Sequence, residues 1–348
     1  MDFKSLINWY DLNDVVVIKL DKKFQKGLSQ QLLQKARTIQ SLAADLNSNY
    51  HQISLYKTCE SNFSVGSLKK ICKYLNLSPN DLNAHILEIG RKKKRIINPK
   101  LPFNLHTPSG AALRSIANSE GSLHPGKGTT MRIKVPEISM LEMSIGFAND
   151  IFGSSDIKIL KTKDKNTHEI YLTSLIADCL KLTGVPGGKK SILNHHVPGD
   201  ILNGPKELQR VYLGWSFACG MECASKVVKL CRYVDVTDLL DNEEMRLLHK
   251  GMNFKRDIPE AVQKRVAQRP PNLLIGEAVM LRNFGIDRPL YFASLWKSKN
   301  GRRVSAKWAV VISNFSYMNK LLEIGLPLPD KGKKLKAVIR SYLRLYKK

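Results

Sequence analysis

Two glutamates, Glu120 and Glu222, each lie near the end of a stretch with helical apolar periodicity. The first stretch, 110–121, places alanines and serines at helical spacing, so a second helix could pack closely against it. Gly121 then ends the helix. A carboxylate at the C-terminal end of a helix faces the negative end of the helix dipole, which is unfavourable unless a cation is bound there. The placement of Glu120 therefore indicates a metal ion.

The second stretch, 208–225, has a similar composition and contains Glu222. Laying Glu222 over Glu120 aligns Gly214 with Ala112. This pairing indicates a degenerate internal repeat, in which two like helices each end at an acid.

The two stretches resemble the signature of the LAGLIDADG, or dodecapeptide, homing endonucleases of the stand-alone archaeal type. The nine-residue signature falls on 113–121 in the first copy and on 215–223 in the second. The resemblance implies that the two helices pack side by side and that Glu120 and Glu222 are the catalytic residues that hold a divalent metal. Carboxylate oxygens suit Mg²⁺, or another divalent cation such as Mn²⁺. Such a metal would offset the charge of a phosphodiester and activate a water.

The second signature departs from the family pattern. Phe217 and Met221 replace small residues, and Cys223 replaces glycine. Active members also often carry a lysine near the end of the last strand of a repeat, where this sequence has Thr-Ser at 173–174 and Ser-Asn at 313–314. Cleavage is therefore less firmly indicated than DNA binding.

The resemblance implies an α+β fold, in which an all-α helix-turn-helix domain precedes two pseudo-symmetric αββαββα repeats with antiparallel, saddle-shaped sheets. The repeats would span 106–185 and 186–348, with an insertion in the second at about 237–269. Between the repeats, the Gly-Gly-Lys-Lys-Ser run at 187–191 resembles the segment that separates them in the family, and it lacks the spacing of a phosphate-binding loop. Apolar periodicity predicts strands at 131–135, 158–161, 169–173 and 227–236. It predicts helices at 139–152, 174–182, 272–283, 317–324 and 331–348. A hairpin is predicted at 290–313, with a type I′ turn at Asn300-Gly301.

Residues 24–90 show four short apolar-periodic helices. The segments 39–56 and 67–76 resemble the lambda-repressor-like helix-turn-helix family, whose third helix enters the major groove of DNA. The resemblance implies base or phosphate contacts by the residues at the start of that helix, and a glutamine there could pair with adenine. A small helical bundle that mediates protein contacts is the alternative. The predicted readers are Asn49, Tyr50, His51, Gln52 and Ser54.

The chain is strongly basic, with a formal net charge of +26 over 348 residues and a pI near 9.8. A charge of this size favours nucleic acid through phosphate neutralisation. A basic linker is predicted at 91–105, and cations are expected at the hairpin turns of both repeats. The predicted phosphate contacts are Arg91, Lys92, Lys93, Lys94, Lys161, Lys163, Lys165, Lys297, Lys299, Arg302 and Arg303.

The sequence has no apolar run of membrane-spanning length and no signal peptide, so a cytoplasmic, nucleoid-associated protein is expected. Six cysteines without metal-binding spacing are expected to be reduced thiols. Whether the N-terminal segment, 1–23, packs on the helical domain or tethers it stays open.

Two classes of function follow. The first is a monomeric homing endonuclease that binds double-stranded DNA and cleaves it at a specific site with a divalent metal. The second is a catalytically inactive LAGLIDADG/helix-turn-helix transcriptional regulator. A maturase-like protein that binds structured RNA would share the fold.

Overall fold

The computed structural model describes residues 4–91, 94–124, 130–162, 166–188, 190–224 and 226–346. Four of the predicted phosphate contacts, Lys92, Lys93, Lys163 and Lys165, lie outside these ranges. The fold is α+β, with a helical N-terminal region followed by two αββαββα units that contain antiparallel sheets. Within the described ranges, no helix has both the length and the apolar character needed to cross a membrane.

The N-terminal region contains the four helices that the apolar periodicity predicts. Each begins at a polar residue whose side chain accepts a hydrogen bond from a backbone N–H of the first turn: Asp21, Thr38, Asn49 and Ser64. Its elements are β1 (Leu6–Ile7), a 3-10 helix (Trp9–Asp11), β2 (Val17–Leu20), α1 (Lys22–Ala36), α2 (Ile39–Asp45), α3 (Tyr50–Lys57), β3 (Phe63–Ser64), α4 (Val65–Leu75), a 3-10 helix (Pro79–His85), β4 (Ile86–Arg91), β5 (Lys94–Ile97) and β6 (Phe103–Asn104).

The segment 91–105, expected to be a linker, instead contributes β5 and β6 to two sheets. β5 pairs with β4 and with the later strand β9 (Ser154–Ser155), and β6 pairs with β1. The apolar residues Ile96 of β5 and Phe103 of β6 are fully buried, which explains why these two strands pack against the protein. The helical region therefore also carries a five-stranded sheet, in the order β3-β2-β4-β5-β9.

The described part of the N-terminal segment packs onto the rest of the chain. Ile7 and Trp9 are fully buried, and Trp9 Nε1 donates a hydrogen bond of 2.9 Å to the Pro79 carbonyl. Strand β1 adds to β6, directly before the first αββαββα unit. The segment thus joins the helical region to that unit.

The first unit follows the predicted order closely. Its sheet has the order β10-β11-β8-β7 and is antiparallel throughout. Its elements are α5 (Pro108–Ser119), β7 (Gly121–His124), β8 (Thr130–Val135), α6 (Ile138–Phe152), β9, β10 (Leu160–Lys161), β11 (His168–Leu172) and α7 (Ser174–Leu182).

The second unit is longer because of the predicted insertion, which supplies an edge strand, Gly251–Phe254, to a five-stranded sheet. The turn of its hairpin is not type I′, since Gly301 has a positive φ of 71° but Asn300 does not. The elements from the end of the first unit onward are α8 (Lys190–Leu193), α9 (Gly199–Leu202), α10 (Lys206–Gly220), β12 (Met221–Ala224), β13 (Val227–Asp235), a 3-10 helix (Thr237–Leu239), α11 (Asn242–Leu247), β14 (Gly251–Phe254), a 3-10 helix (Lys255–Asp257), α12 (Glu260–Val266), α13 (Asn272–Asn283), β15 (Leu290–Lys297), β16 (Val304–Ile312), α14 (Phe315–Ile324) and α15 (Pro329–Tyr346).

Two hydrophobic cores meet along α5 and α10. Ala111 of α5 packs into the core of the second unit, while Trp215 and Ala218 of α10 pack into the core shared by the N-terminal region and the first unit. Trp215 makes an edge-to-face contact with Phe147, with ring centroids 5.5 Å apart. The helix pair therefore fixes the two units relative to each other.

Candidate functional site at the paired helices

Helices α5 and α10 pack side by side, as expected, with both C-terminal ends at one cavity. Ser115 Oγ donates to the Tyr212 carbonyl at 2.8 Å, and Asn118 Nδ2 donates to the Tyr212 hydroxyl at 2.9 Å. Small side chains allow the backbones to approach closely enough for these bonds. Both bonds are buried, so they fix the register of the helices as well as their separation.

The cavity at these helix ends has a volume of about 360 Å³ and is lined by both predicted acids. It also contains residues from the inter-repeat segment and from β13 that were not predicted as functional. The polar side chains that line the cavity include Asn118, Glu120, Lys190, His195, Glu222 and Arg232.

Glu120 caps the C-terminal end of α5, as the sequence predicts, and its N–H bonds to the Ile116 carbonyl at 2.8 Å. Burial raises the pKa of the Glu120 carboxyl, and the nearby cations Lys190 and Arg232 oppose that rise. Among the described side chains, none forms a hydrogen bond or ion pair with this carboxylate. Glu120 is therefore a largely desolvated acid, at the negative end of a helix dipole, without a direct partner.

Glu222 has a different place. Helix α10 runs through Gly220, Met221 is its cap, and Glu222 is the second residue of β12, opposite Lys229. The expectation that Glu222 ends the helix is therefore wrong. Its side chain is 49% exposed, and both carboxylate oxygens bond to Lys307 Nζ, at 2.6 and 2.8 Å.

The strand registers identify the residue that corresponds to Glu120. Strand β7 begins at Gly121, opposite Ile133, and β12 begins at Met221, opposite Leu230. By this match, Gly220 corresponds to Glu120, whereas matching the helix caps places Met221 there, and neither residue is an acid. A Cβ on Gly220 would collide with Arg232 Nη1, so the arginine occupies the space of the missing side chain. The sequence alignment that pairs Glu120 with Glu222 therefore differs by two residues from the alignment given by the strand register.

Arg232 is a site residue that the sequence did not reveal. It is buried in β13 and forms a two-pronged ion pair with Glu277 of α13, whose side chain is fully buried, at 2.6 Å for the shortest contact. The same guanidinium bonds to Ser216 of α10 and, at 3.3 Å, to Ser119 of α5. Its only signal in the sequence is a charge that alternates with the apolar residues Val228, Leu230 and Val234 on the inward face of β13.

Lys190 is the second such residue, and it comes from the inter-repeat segment. Its ammonium group donates to the Ala117 carbonyl of α5 at 2.5 Å and points into the cavity. Burial lowers the pKa of Lys190 to about 7, against the opposing pull of Glu120. The Gly-Gly-Lys-Lys-Ser run at 187–191 marked this segment in the sequence, but the run alone did not place the lysine beside Glu120.

The oxygen donors of the cavity fit a hard divalent cation that keeps several of its waters. Glu120 supplies a carboxylate, and Asn118 Oδ1 is buried with no hydrogen-bond partner in the part of the chain that the structure describes. Within the described ranges, His, Cys, Asp and Glu form no cluster of three that could hold a metal. His195 also lines the cavity, and burial lowers its pKa to about 4, so it is neutral near pH 7.

The predicted DNA readers all lie at the start of α3. Asn49 is its N-cap, accepting from the His51 N–H at 2.7 Å, and Tyr50 and His51 are exposed. Gln52 is partly buried and donates to Ser61 Oγ at 3.0 Å. Ser54 follows one turn later and is partly buried.

The predicted phosphate contacts divide into two groups. Arg91 and Lys297 are engaged within the protein: Arg91 donates to Asp178 at 2.9 Å, and Lys297 Nζ donates to the Leu248 carbonyl at 3.0 Å near the end of α11. These two cations stabilise the fold instead of facing solvent freely. The exposed group comprises Lys94, Lys161, Lys299, Arg302 and Arg303.

Comparison with known proteins supports the helix-turn-helix prediction directly. Residues 27–88 match the family model of the Cro/C1-type helix-turn-helix DNA-binding domain, so the chain carries a DNA-binding domain of that type. No curated protein matches the chain in sequence.

Several solved structures of the homing endonuclease I-DmoI are similar to this chain. A structure of its mesophilic variants has 12% identity and a TM-score of 0.37, covering 67% of this chain and 98% of that one. I-DmoI in complex with DNA and Ca has 11% identity and a TM-score of 0.36, with the same coverage. The complex with DNA and Mn has 10% identity and a TM-score of 0.34, covering 68% of this chain and 98% of that one. Similarities of this size assign neither activity nor substrate to this chain.

Proposed function

We propose that this protein binds a specific double-stranded DNA site and hydrolyses a phosphodiester bond in it with a divalent metal, acting as a monomeric homing endonuclease of the LAGLIDADG type. The observation that carries the proposal is the Glu120 carboxylate, which is desolvated and has no hydrogen-bond or ion-pair partner among the described residues, in a cavity at the end of two packed helices.

Duplex DNA is the substrate that the rest of the molecule favours. The Cro/C1-type domain presents the start of α3 to solvent, and exposed cations lie at the sheet turns. A net charge of +26 supplies a strong, salt-sensitive attraction to phosphates.

In the proposed reaction, Glu120 and Asn118 Oδ1 would hold the metal. A bound Mg²⁺ or Mn²⁺ would offset the charge of the phosphate and lower the pKa of a water. Lys190 Nζ, held by the Ala117 carbonyl, would offer a proton or a positive charge to a phosphate oxygen at the mouth of the cavity. Arg232 would position both helices by bonding to Ser119 and Ser216.

A second candidate function, a transcriptional regulator that binds DNA without cutting it, is favoured by one specific observation. The place that corresponds to Glu120 in the second unit is Gly220, and its space is taken by the Arg232 guanidinium. Glu222, the other predicted acid, is already ion-paired with Lys307. A chain with one acid instead of two has lost half of a symmetric metal site.

The two candidates are distinguished by exposing the protein to a randomised duplex library in Mg²⁺ or in EDTA, and by sequencing both the bound and the cut molecules. Cleavage at an enriched site that is lost in EDTA supports the endonuclease. An enriched site that stays intact in Mg²⁺ and Mn²⁺ supports the regulator. Absence of any enriched duplex would contradict both and would direct the same experiment to structured RNA.

A further inference from the structure

The N-terminal region contains a cavity of its own, which we call the α1 cavity. It lies between one face of α1 and the 3-10 helix Pro79–His85, and its volume is about 460 Å³. A cavity of this size, with a mainly apolar lining and a few polar groups, is typical of a small-molecule site. The apolar side chains of its lining are Phe24, Leu28, Leu77 and Leu82.

The lining that α1 supplies has helical spacing. Phe24, Gly27, Leu28 and Gln31 follow one another at intervals of three or four residues, so they share one face of the helix. Leu28 is buried, whereas Gln31 is exposed. The α1 cavity therefore extends from the hydrophobic core of the helical region to the protein surface.

Gly27 leaves space in this cavity that the protein does not fill. A Cβ at this position would meet no atom within 4 Å beyond its chain neighbours and the helix backbone. Glycine in the interior of a helix is less stable than alanine, so a residue with a side chain would suit α1 better. The glycine thus keeps the α1 cavity open at a cost to the helix.

The opposite wall is held in place by contacts at both ends of the 3-10 helix. The Trp9 indole N–H bonds to the Pro79 carbonyl at 2.9 Å, and the Asp21 N–H bonds to the His85 carbonyl at 2.9 Å. The rings of His85 and Phe24 are stacked, with centroids 3.8 Å apart and planes 9° from parallel. The α1 cavity is therefore preformed, and two stacked rings form part of its wall.

The charged side chains of the lining are two acids, Asp21 and Asp81, and one base, Lys23. The Phe24 N–H, which donates to Asp21 at 2.8 Å, and His85 together lower the pKa of that carboxyl against the effect of burial. Asp81 is exposed, and its carboxylate forms no hydrogen bond or ion pair with the residues that the structure describes.

This balance of charge is unusual for the chain. The net charge of the whole protein is +26, yet acids outnumber bases in the lining of the α1 cavity. The lining therefore favours a cation over a phosphate or another anion. Its apolar floor and its stacked rings favour a flat aromatic body in the same ligand.

The α1 cavity is separate from the helix that is predicted to read DNA. Within the described ranges, α3 contributes no residue to its lining. A different part of α1 contacts α3, where Gln25 Nε2 and Ser29 Oγ donate to the Tyr56 carbonyl at 3.1 and 3.3 Å. A ligand in the α1 cavity would therefore leave the start of α3 uncovered.

We propose that the α1 cavity binds a small aromatic amine in its protonated form. The ring would lie against Phe24, Leu28 and Leu82, in the space above Gly27. The ammonium group would contact the Asp81 carboxylate at the rim. This site depends neither on cleavage nor on the identity of the DNA target.

The test is isothermal titration calorimetry of the full chain with tryptamine, which joins a two-ring aromatic body to an ammonium group. Saturable binding of one tryptamine per chain is expected. Gly27→Leu should weaken it by at least about 10-fold, because the new side chain occupies the space of the ring. Asp81→Asn should weaken it by about 3- to 5-fold, since an exposed ion pair is lost, and should leave the binding of neutral indole unchanged.

Gly146→Leu is the matched control. Gly146 also lies in the interior of a helix, α6, with open space around its Cβ position, but it is outside the α1 cavity. Both leucine variants should keep or raise the midpoint of thermal unfolding, since each replaces a helical glycine. Only Gly27→Leu should change the affinity for tryptamine.

The proposal is overturned if the wild-type chain does not bind tryptamine, or if Gly27→Leu binds it as tightly as the wild type. Indole-3-propionate has the same ring with a carboxylate in place of the ammonium group. Tighter binding of indole-3-propionate than of tryptamine would overturn the choice of a cation.

Discussion

Two acids of the same type acquire different chemistry from their surroundings. Glu120 is desolvated and has no ion-pair partner among the described residues, whereas Glu222 is half exposed and bonded to Lys307. A metal bound at Glu120 would supply the direct positive partner that no described side chain provides to this carboxylate. At Glu222 a metal would first have to displace Lys307, so we place the proposed metal at Glu120 alone.

Lys190 should give the stability of the protein a distinctive pH dependence. Its pKa is about 7 in the folded protein and 10.5 in the unfolded chain, so between these values the unfolded chain binds more protons. The free energy of unfolding contributed by this residue therefore rises with pH in that window, and below it the cost of burying the charge is fully present. Urea titrations at about pH 7 and about pH 9 should show this rise in the wild type and not in Lys190→Met. Parallel pH profiles for the two proteins would contradict the burial of this amine.

At the scale of elements, the Arg232–Glu277 pair joins α13 to β13 and through Ser119 and Ser216 to both central helices. Glu277→Ala would leave a buried guanidinium without its counter-ion. The expected loss of stability is about 3–5 kcal/mol by chemical denaturation. Glu260→Ala is the control, because its pair with Lys264 is exposed on both sides and is expected to contribute less than about 1 kcal/mol. A similar small loss in both variants would show that the pair does not hold these elements together.

Helix α3 should determine the choice of DNA sequence. His51 is exposed at its first turn, where base edges are reached in helix-turn-helix complexes. His51→Ala is expected to weaken binding to the selected site by about 1–3 kcal/mol and to leave non-specific binding nearly unchanged, as measured by competition with unrelated duplex. Lys26→Ala, an exposed charge on α1, serves as the control. Equal losses on specific and unrelated DNA would assign His51 to the phosphate backbone instead.

The order of the elements could be predicted from sequence because the signals are local. Helices such as Ser174–Leu182 and Asn272–Asn283 appear at the predicted bounds, since apolar periodicity and capping act within one segment. The helix-turn-helix prediction is confirmed by the family model. The basic stretch 91–105, predicted as a linker, contributes two strands: β5 pairs with the neighbouring β4, while β9 and β1, the further partners of β5 and β6, lie far away along the chain and could not be found from local signals.

Only part of the candidate site could be predicted, because several of its residues come from segments that are far apart in the sequence. Glu120 follows from a helix end and a glycine that are adjacent in sequence. The equivalence of Gly220 depends on the strand register of β12 with β13, and a degenerate motif offers two alignments that differ by two residues. Lys190 and Arg232 reach the cavity from separate segments, so no spacing within the sequence reveals them.

At the scale of the whole molecule, charge should govern affinity for duplex DNA. Each phosphate neutralised by a cation is expected to make the negative slope of log affinity against log salt concentration steeper by about 0.9. Arg302→Ala, at the exposed tip of the β15–β16 hairpin, should reduce that slope by about 1 without altering the selected sequence. Binding measured by anisotropy over a salt series tests this, and an unchanged slope would exclude Arg302 from the interface.

The pseudo-symmetry of the two units has a consequence for the product of the proposed reaction. The two strands of a duplex are related by approximate two-fold symmetry, so each half of a symmetric protein faces one strand. Only the first unit has an acid at the helix end, because Gly220 stands at the matching place in the second. One strand should therefore be cut.

The most direct test of this account is cleavage of the selected duplex, labelled separately on each strand, by the wild type, Glu120→Gln and Glu222→Gln in Mg²⁺. We expect a nick in one strand, a loss of at least about 100-fold in rate for Glu120→Gln with DNA binding retained, and near wild-type activity for Glu222→Gln. Cleavage of both strands, or equal loss of activity in the two variants, would contradict the assignment of the metal to Glu120 alone.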